Sequence, residues 1–235
     1  MPLIEFVAFD LDGTLVDSVA DIAWAVDRMA GEMDMPPPGF DKVREWVGDG
    51  VRRLVKRALT GERNAEPDAE LYQRAFEAFR RAYHAHLAVG TQLYPGAREV
   101  LEQLQHSGIG LACITNKAAE FTAPLLDALE LKRYFAVVLS GDSLARRKPD
   151  PLPLLHAARQ LGVAPARSCM VGDSRNDVLA ARAAGFRAVA VRHGYGGDLL
   201  VDSAPDAVLD SLTELPSLLE RWAPGLVQVR TSRYV

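Results

Sequence analysis

The sequence predicts an α/β fold: a parallel sheet core with an all-helical cap domain inserted after its first strand. Three observations carry that prediction. An apolar run over residues 3–9 opens the chain as a short buried strand. Every periodic stretch between residues 17 and 93 has helical spacing. From residue 94 onward helices and strands alternate, which implies a parallel sheet covered on both faces.

Taken in order, Ser18 reads as the N-cap of a helix with Val19, Ile22, Ala23, Val26 and Met29 at helical spacing, ended by Gly31. Pro36-Pro37-Pro38-Gly39 breaks the chain. A short helix follows at 40–47, and Gly48-Asp49-Gly50 separates it from another at 51–59. A long helix covers 68–87. Tyr94-Pro95-Gly96 marks the change of character. Helices are then expected at 100–106, 120–128, 152–161, 177–184 and 212–222. Strands are expected at 108–114, 134–140, 168–171, 188–191 and 207–209. The organisation is thus a discontinuous core (1–16 and 94–223), a cap (17–93) and a tail (224–235).

Bulk properties narrow the function. The 235 residues are 49% hydrophobic and 25% charged, with a net charge of −4, which describes a globular protein and not a binder of nucleic-acid backbones. No apolar run reaches the roughly 20 residues of a membrane span. Glu5, Asp10 and Asp12 stand where a secretory signal carries positive charge, so a cytoplasmic protein is expected. Cys113 and Cys169 both fall in expected strands and read as reduced core thiols. The five histidines show no metal-binding spacing; His84 and His86, two apart on a helix, face different sides.

The chemistry begins at Asp10-Leu11-Asp12-Gly13-Thr14, where the first strand ends. Two carboxylates this close repel, by about 4 kcal/mol at a separation of about 4 Å and an effective dielectric of about 20. A bound cation would relieve that repulsion. Other strand ends carry matching groups: Thr115-Asn116-Lys117, Arg147-Lys148-Pro149-Asp150, and Gly172-Asp173-Ser174-Arg175-Asn176-Asp177. In open α/β sheets ligands bind beyond the carboxyl ends of the strands. Oxygen ligands without a histidine or cysteine cluster suit a hard ion, Mg²⁺ above all. The set matches phosphoryl transfer: a carboxylate attacks phosphorus while the cation and Lys148 neutralise charge.

These four motifs, in this order, resemble those of the haloacid dehalogenase superfamily of phosphotransferases along nearly the whole chain. The resemblance implies a Rossmann-like parallel core, with the insertion as the superfamily's first cap type. It also implies roles: Asp10 as nucleophile, Asp12 as general acid and base, Lys148 as the charge-neutralising lysine, and Thr115, Asn116 and Gly13 at the phosphoryl group. Mg²⁺ would be held by Asp10, the Asp12 backbone carbonyl and Asp173, with Asp177 one step further out through water. Trp46-Val47-Gly48-Asp49-Gly50, Thr115-Asn116-Lys117, residues 171–177 and Gly194-Tyr195-Gly196 look most like the bacterial branch that hydrolyses 2-phosphoglycolate. The implied partner is a small phosphorylated metabolite, with no nucleic acid or membrane involved, and the chain is a monomer or a homodimer.

Alternatives stay open at this point: a sugar or amino-sugar phosphatase, a mutase resembling β-phosphoglucomutase, or a non-catalytic binding protein on the same fold. Asp177 could merely cap the next helix. Arg52, Arg53, Lys56 and Arg57 include candidates to grip a substrate carboxylate, although a solvated helix face accounts for most of them. Trp24 and Trp46 read as cap core. Residues 224–235 match no pattern.

Overall fold

A computed structural model describes residues 4–222. The opening strand, β1 (Phe6–Phe9), is buried along its length, and its side chains alternate between two apolar cores. Phe6 and Ala8 face one; Val7 and Phe9 face the other. Each large apolar side chain removed from water this completely contributes about 1.5–3 kcal/mol. The strand is central because it is apolar on both faces.

A two-residue strand, β2 (Val16–Asp17), comes next, then four helices: α1 (Val19–Glu32), α2 (Phe40–Trp46), α3 (Val51–Thr60) and α4 (Ala69–Ala85). The chain returns through β3 (Gln92–Leu93), which pairs antiparallel with β2, Val16 opposite Leu93. This small ribbon, too short to leave a period in the sequence, ties together the two ends of the helical insertion. Helix α1 runs one residue past Gly31, and Trp46 is buried as expected. Trp24 is half-buried and stacks on His86 at 4.1 Å.

The alternation then proceeds as α5 (Ala97–His106), β4 (Gly110–Ile114), α6 (Ala119–Ala128), β5 (Val137–Leu139), α7 (Leu152–Leu161), β6 (Ser168–Gly172), α8 (Arg175–Ala184), β7 (Arg187–Val191), α9 (Gly197–Asp202), β8 (Ala207–Leu209) and α10 (Leu215–Trp222). The six long strands form one parallel sheet in the order β5-β4-β1-β6-β7-β8. Strand β5 is shorter than its apolar run because residues 132–134 wind into a 3₁₀ turn. Helix α9 lacks an apolar period and was not expected. Helices α7 and α8 cover one face of the sheet. On the other face the core of α5 and α10 runs on through Leu11 and Leu15 into the apolar faces of α1 and α4.

Cys113 pairs with Phe9 and Cys169 with Val7, on opposite sides of β1. With a whole strand between them they cannot be bridged, and both are free. Residues 224–235, set apart as a tail, lie outside the described residues.

Candidate active site

The carboxyl ends of β1, β4 and β6 meet at one rim of the sheet. Asp10 follows β1 directly, Thr115 follows β4 and Asp173 follows β6. Asp10, Asp173 and Asp177 all turn inward, and one ligand oxygen from each lies within 4.8 Å of the others. All three are buried.

Each carboxylate is fixed by bonds from its surroundings. Asp10 Oδ1 accepts from the Leu11 N–H at 2.8 Å. Asp173 Oδ1 accepts from Thr14 Oγ1 at 2.9 Å, and its Oδ2 from the Tyr195 N–H at 2.8 Å. Asp177 Oδ2 accepts from the Ser174 N–H and hydroxyl, closing a capping box at the start of α8. Its other oxygen faces the cluster, so Asp177 both caps its helix and takes part in the acidic trio. Gly13 has φ +84°, and a Cβ there would fall on the Asp173 carboxylate. A Cβ on Gly194 would collide with the same side chain. Glycine at both positions lets the backbone close around Asp173.

Lys148 is the counter-charge. Its Nζ lies 3.0 Å from Asp10 Oδ1 and 2.7 Å from Asp177 Oδ1, and it is buried with them. Burial works against its charge, but Asp10 and Asp177 together outweigh it and hold the ammonium protonated. Burial, with Asp177 adding to it, pushes the Asp10 carboxyl up to about 6 against the pull of Lys148. Burial and the charges of Asp10 and Asp177 push Asp173 up to about 8. Fully ionised, three buried carboxylates against one lysine would carry two uncompensated negative charges, which is the deficit a divalent cation fills. The donors are hard oxygens, so the chemistry of the set fits Mg²⁺-type ions.

Asp12 stands apart from this trio. Its Oδ1 accepts from Ser18 Oγ at 2.5 Å, and both its oxygens lie 3.1 Å from Lys117 Nζ. Ser18 therefore occupies the N-cap position of α1 without capping it, because its hydroxyl is spent on Asp12. The Thr115 hydroxyl accepts from the Lys117 N–H and keeps its own proton for a ligand. Asn116 donates to Gly48 O and Lys148 O, while its buried Oδ1 has no hydrogen-bond partner among the described residues. A buried acceptor left over at such a rim marks a place for water or a bound group.

The helical insertion closes over this rim through Gly48-Asp49-Gly50. Gly48 O accepts from Asn116, and Asp49 Oδ1 accepts from Asn176 at 3.0 Å. The four cationic candidates on α3 are engaged elsewhere. Arg57 is buried, donates to Trp46 O and Arg63 O, and pairs with Asp49 at 2.5 Å. Arg53 and Lys56 pair with Glu66, and Arg52 lies over the Phe76 ring. Under the loop is a cavity of about 40 Å³ lined on the core side by Asp10, Asp12, Asn116 and Lys117, and on the cap side by Ile22, Val51 and Leu54.

The structure thus brings Asp10, Asp12, Gly13, Thr115, Asn116, Lys148, Asp173 and Asp177 to one place. Sequence reasoning attached no role to Thr14, Tyr83, Lys117 or Asn176 individually. Lys117 stood inside a quoted motif, but nothing in the sequence pairs it with Asp12.

Comparison with known proteins agrees with this geometry. The model of the haloacid dehalogenase-like hydrolase family matches residues 7–191. A phosphoglycolate phosphatase of Nitrosococcus oceani is 47% identical over 220 residues, 93% of this chain and 98% of its own. One from Neisseria meningitidis is 46% identical over 90% of this chain and 92% of its own. Among solved structures, a predicted phosphoglycolate phosphatase from Haemophilus somnus superposes with a TM-score of 0.87 at 31% identity, covering 93% of this chain and 99% of that one.

Proposed function

The chain belongs to the haloacid dehalogenase-like hydrolases and is a phosphatase, and we propose that it hydrolyses 2-phosphoglycolate to glycolate and phosphate. The observation that carries the chemistry is the buried trio Asp10, Asp173 and Asp177 with Lys148 set against Asp10. The substrate reading rests on relatives 43–47% identical over most of the chain and named phosphoglycolate phosphatases.

In this reading Asp10 attacks phosphorus and becomes an aspartyl-phosphate. Asp12 gives a proton to the departing alkoxide and then takes one from the water that hydrolyses the intermediate. The Thr115 hydroxyl, Asn116 and the backbone at Gly13 hold the phosphoryl oxygens, and Lys148 neutralises their charge. Mg²⁺ would be held by Asp10, the Asp12 carbonyl and Asp173, with Asp177 facing it directly or through water; when bound it supplies the positive charge that lets a phosphate dianion approach carboxylates. Residues 17–93 act as the cap over a core of 1–16 and 94–223, with the β2–β3 ribbon at the junction.

For the substrate carboxylate we favour Arg147, on the core side. Its guanidinium lies against Gly50 at the cap loop, 3.0 Å from where a Cβ on Gly50 would stand, and it has no ion pair among the described residues. The test is a panel of about twenty phosphate esters with free phosphate as readout. Phosphoglycolate should give the highest kcat/KM. A sugar phosphate ranking above it overturns the assignment.

A further inference from the structure

Lys117 is an unusual residue to bury. Its ammonium has three N–H donors, and all three are used: two on the Asp12 oxygens at 3.1 Å and one on Tyr83 OH at 2.6 Å. The ammonium also sits over the Tyr83 ring, 4.7 Å from its centroid. Although Lys117 lines the cavity, it has no donor left for a substrate. Its charge therefore serves Asp12.

Tyr83 is fully buried on α4, one of the helices of the insertion, and packs against Phe79 and Phe121. Ser18, the other group on Asp12, stands at the entrance to α1. Asp12 and Lys117 stand at strand ends of the core. The four side chains form one chain of bonds from the sheet rim into the helices above it.

We propose that Lys117 and Tyr83 are positioning residues for Asp12, which with Ser18 aim its carboxylate at the ester oxygen only while the helical insertion is docked on the sheet. The inference rests on the reading of Asp12 as the acid and base. In the first step Asp10 bonds to phosphorus, the P–O ester bond breaks with its electron pair on the leaving oxygen, and that oxygen takes the Asp12 proton. Asp12 is left as a carboxylate facing Lys117. In the second step a water oxygen bonds to phosphorus, its proton returns to Asp12, and the bond to Asp10 breaks with its electrons on Asp10. Both steps need Asp12 in one place, and a carboxylate on a two-rotor side chain holds no such place unaided.

Leaving groups give a readout that a merely structural role does not move. A nitrophenolate departs without a proton, whereas an alkoxide needs one. The quantity kcat/KM covers steps up to the first phosphoryl transfer, so it isolates the acid role. Native protein, Tyr83→Phe, Lys117→Met and Asp12→Asn are compared on phosphoglycolate, ethyl phosphate and p-nitrophenyl phosphate, with thermal melting to check folding. The expected result is that the ratio of alkyl to aryl kcat/KM falls about tenfold in Tyr83→Phe and about a hundredfold in Lys117→Met, below the full general-acid contribution of about 10²–10⁴. Should Lys117→Met fail to fold, Tyr83→Phe decides, because it keeps the ring and its packing. An equal fall on all three esters, or no change, overturns the proposal. Asp12→Asn separates the two readings: if it shows the selective loss and the other variants do not, only the clamp fails. If Asp12→Asn shows no selective loss, the acid role of Asp12 fails and the clamp with it.

Discussion

The sheet rim and the loop that closes over it are held by different means. At the rim, buried charges lock one another: Lys148 bridges two aspartates, and Gly13 and Gly194 leave no room for a Cβ beside Asp173. At the loop, Gly48 has φ +113° with open space around it, contact with the core depends on Asn116 and Asn176, and the Arg57–Asp49 pair braces the loop from within the insertion. Crowding at the rim fixes the carboxylates. A few polar bonds at the loop can be made and broken as a substrate enters and leaves. The two regions are thus held by different means, and variants in each should fail differently.

The largest effect is expected from Asp10→Asn. Loss of the attacking oxygen should lower kcat by about 10⁴-fold or more, in line with nucleophile deletions in other hydrolases. The same variant should alter stability in a way opposite to its effect on rate. In metal-free native protein Asp10 and Asp173 are raised from 3.8 to about 6 and about 8. Their protonated forms stabilise the fold fully below the unfolded pKa near 4, and that stability is lost as pH rises through about 6 and then about 8. Metal-free protein should therefore melt at progressively lower temperature from pH 4 to pH 8, and Mg²⁺ should restore the melting temperature at the upper end. Asp10→Asn removes one of the repelling charges and should flatten the metal-free profile. A flat profile in native metal-free protein would contradict the uncompensated acidic trio.

A smaller effect, on the other region, is expected from Arg57→Ala. The guanidinium is buried and its three partners lose a charged donor, so stability should fall by about 2–4 kcal/mol in denaturant unfolding. Because Asp49 and the glycines beside it lose their anchor, KM should rise while kcat changes little. A fall in kcat as deep as that of Asp10→Asn would erase the distinction between loop and rim.

The same contrast governs what the sequence reveals. Most of the rim is legible because its groups follow buried strands, so a linear pattern of apolar runs and acidic ends maps onto one edge in space. Asp10, Asp12, Thr115 and Asp173 stand at or just past such ends, whereas Lys148 lies well beyond β5 and is marked only by its motif Arg147-Lys148-Pro149-Asp150. Partnerships across the insertion left no such trace. Nothing local pairs Lys117 with Tyr83, 34 residues away, or Thr14 with Asp173, 159 away. The β2–β3 ribbon was missed because two residues carry no period. Arg57, read as part of a charged helix face, turned out to be a buried bracket, since helical spacing does not say which face a neighbouring loop will cover.

The smallest effect is expected where the two regions touch, at Arg147→Gln. Arg147 is exposed, so an ion pair with a substrate carboxylate is screened and gives on the order of 1 kcal/mol or less. That corresponds to a rise of about three- to fivefold in KM for phosphoglycolate, with kcat held, because the carboxylate is gripped equally in the ground state and the transition state. Ethyl phosphate lacks the carboxylate and should show no change. Raising the salt from about 0.05 M to about 0.5 M should shrink the difference between native protein and variant, since an exposed pair is screened over a few ångströms at that strength. If KM rises equally for both esters, Arg147 acts by packing on Gly50 and steadying the loop, not by meeting the carboxylate.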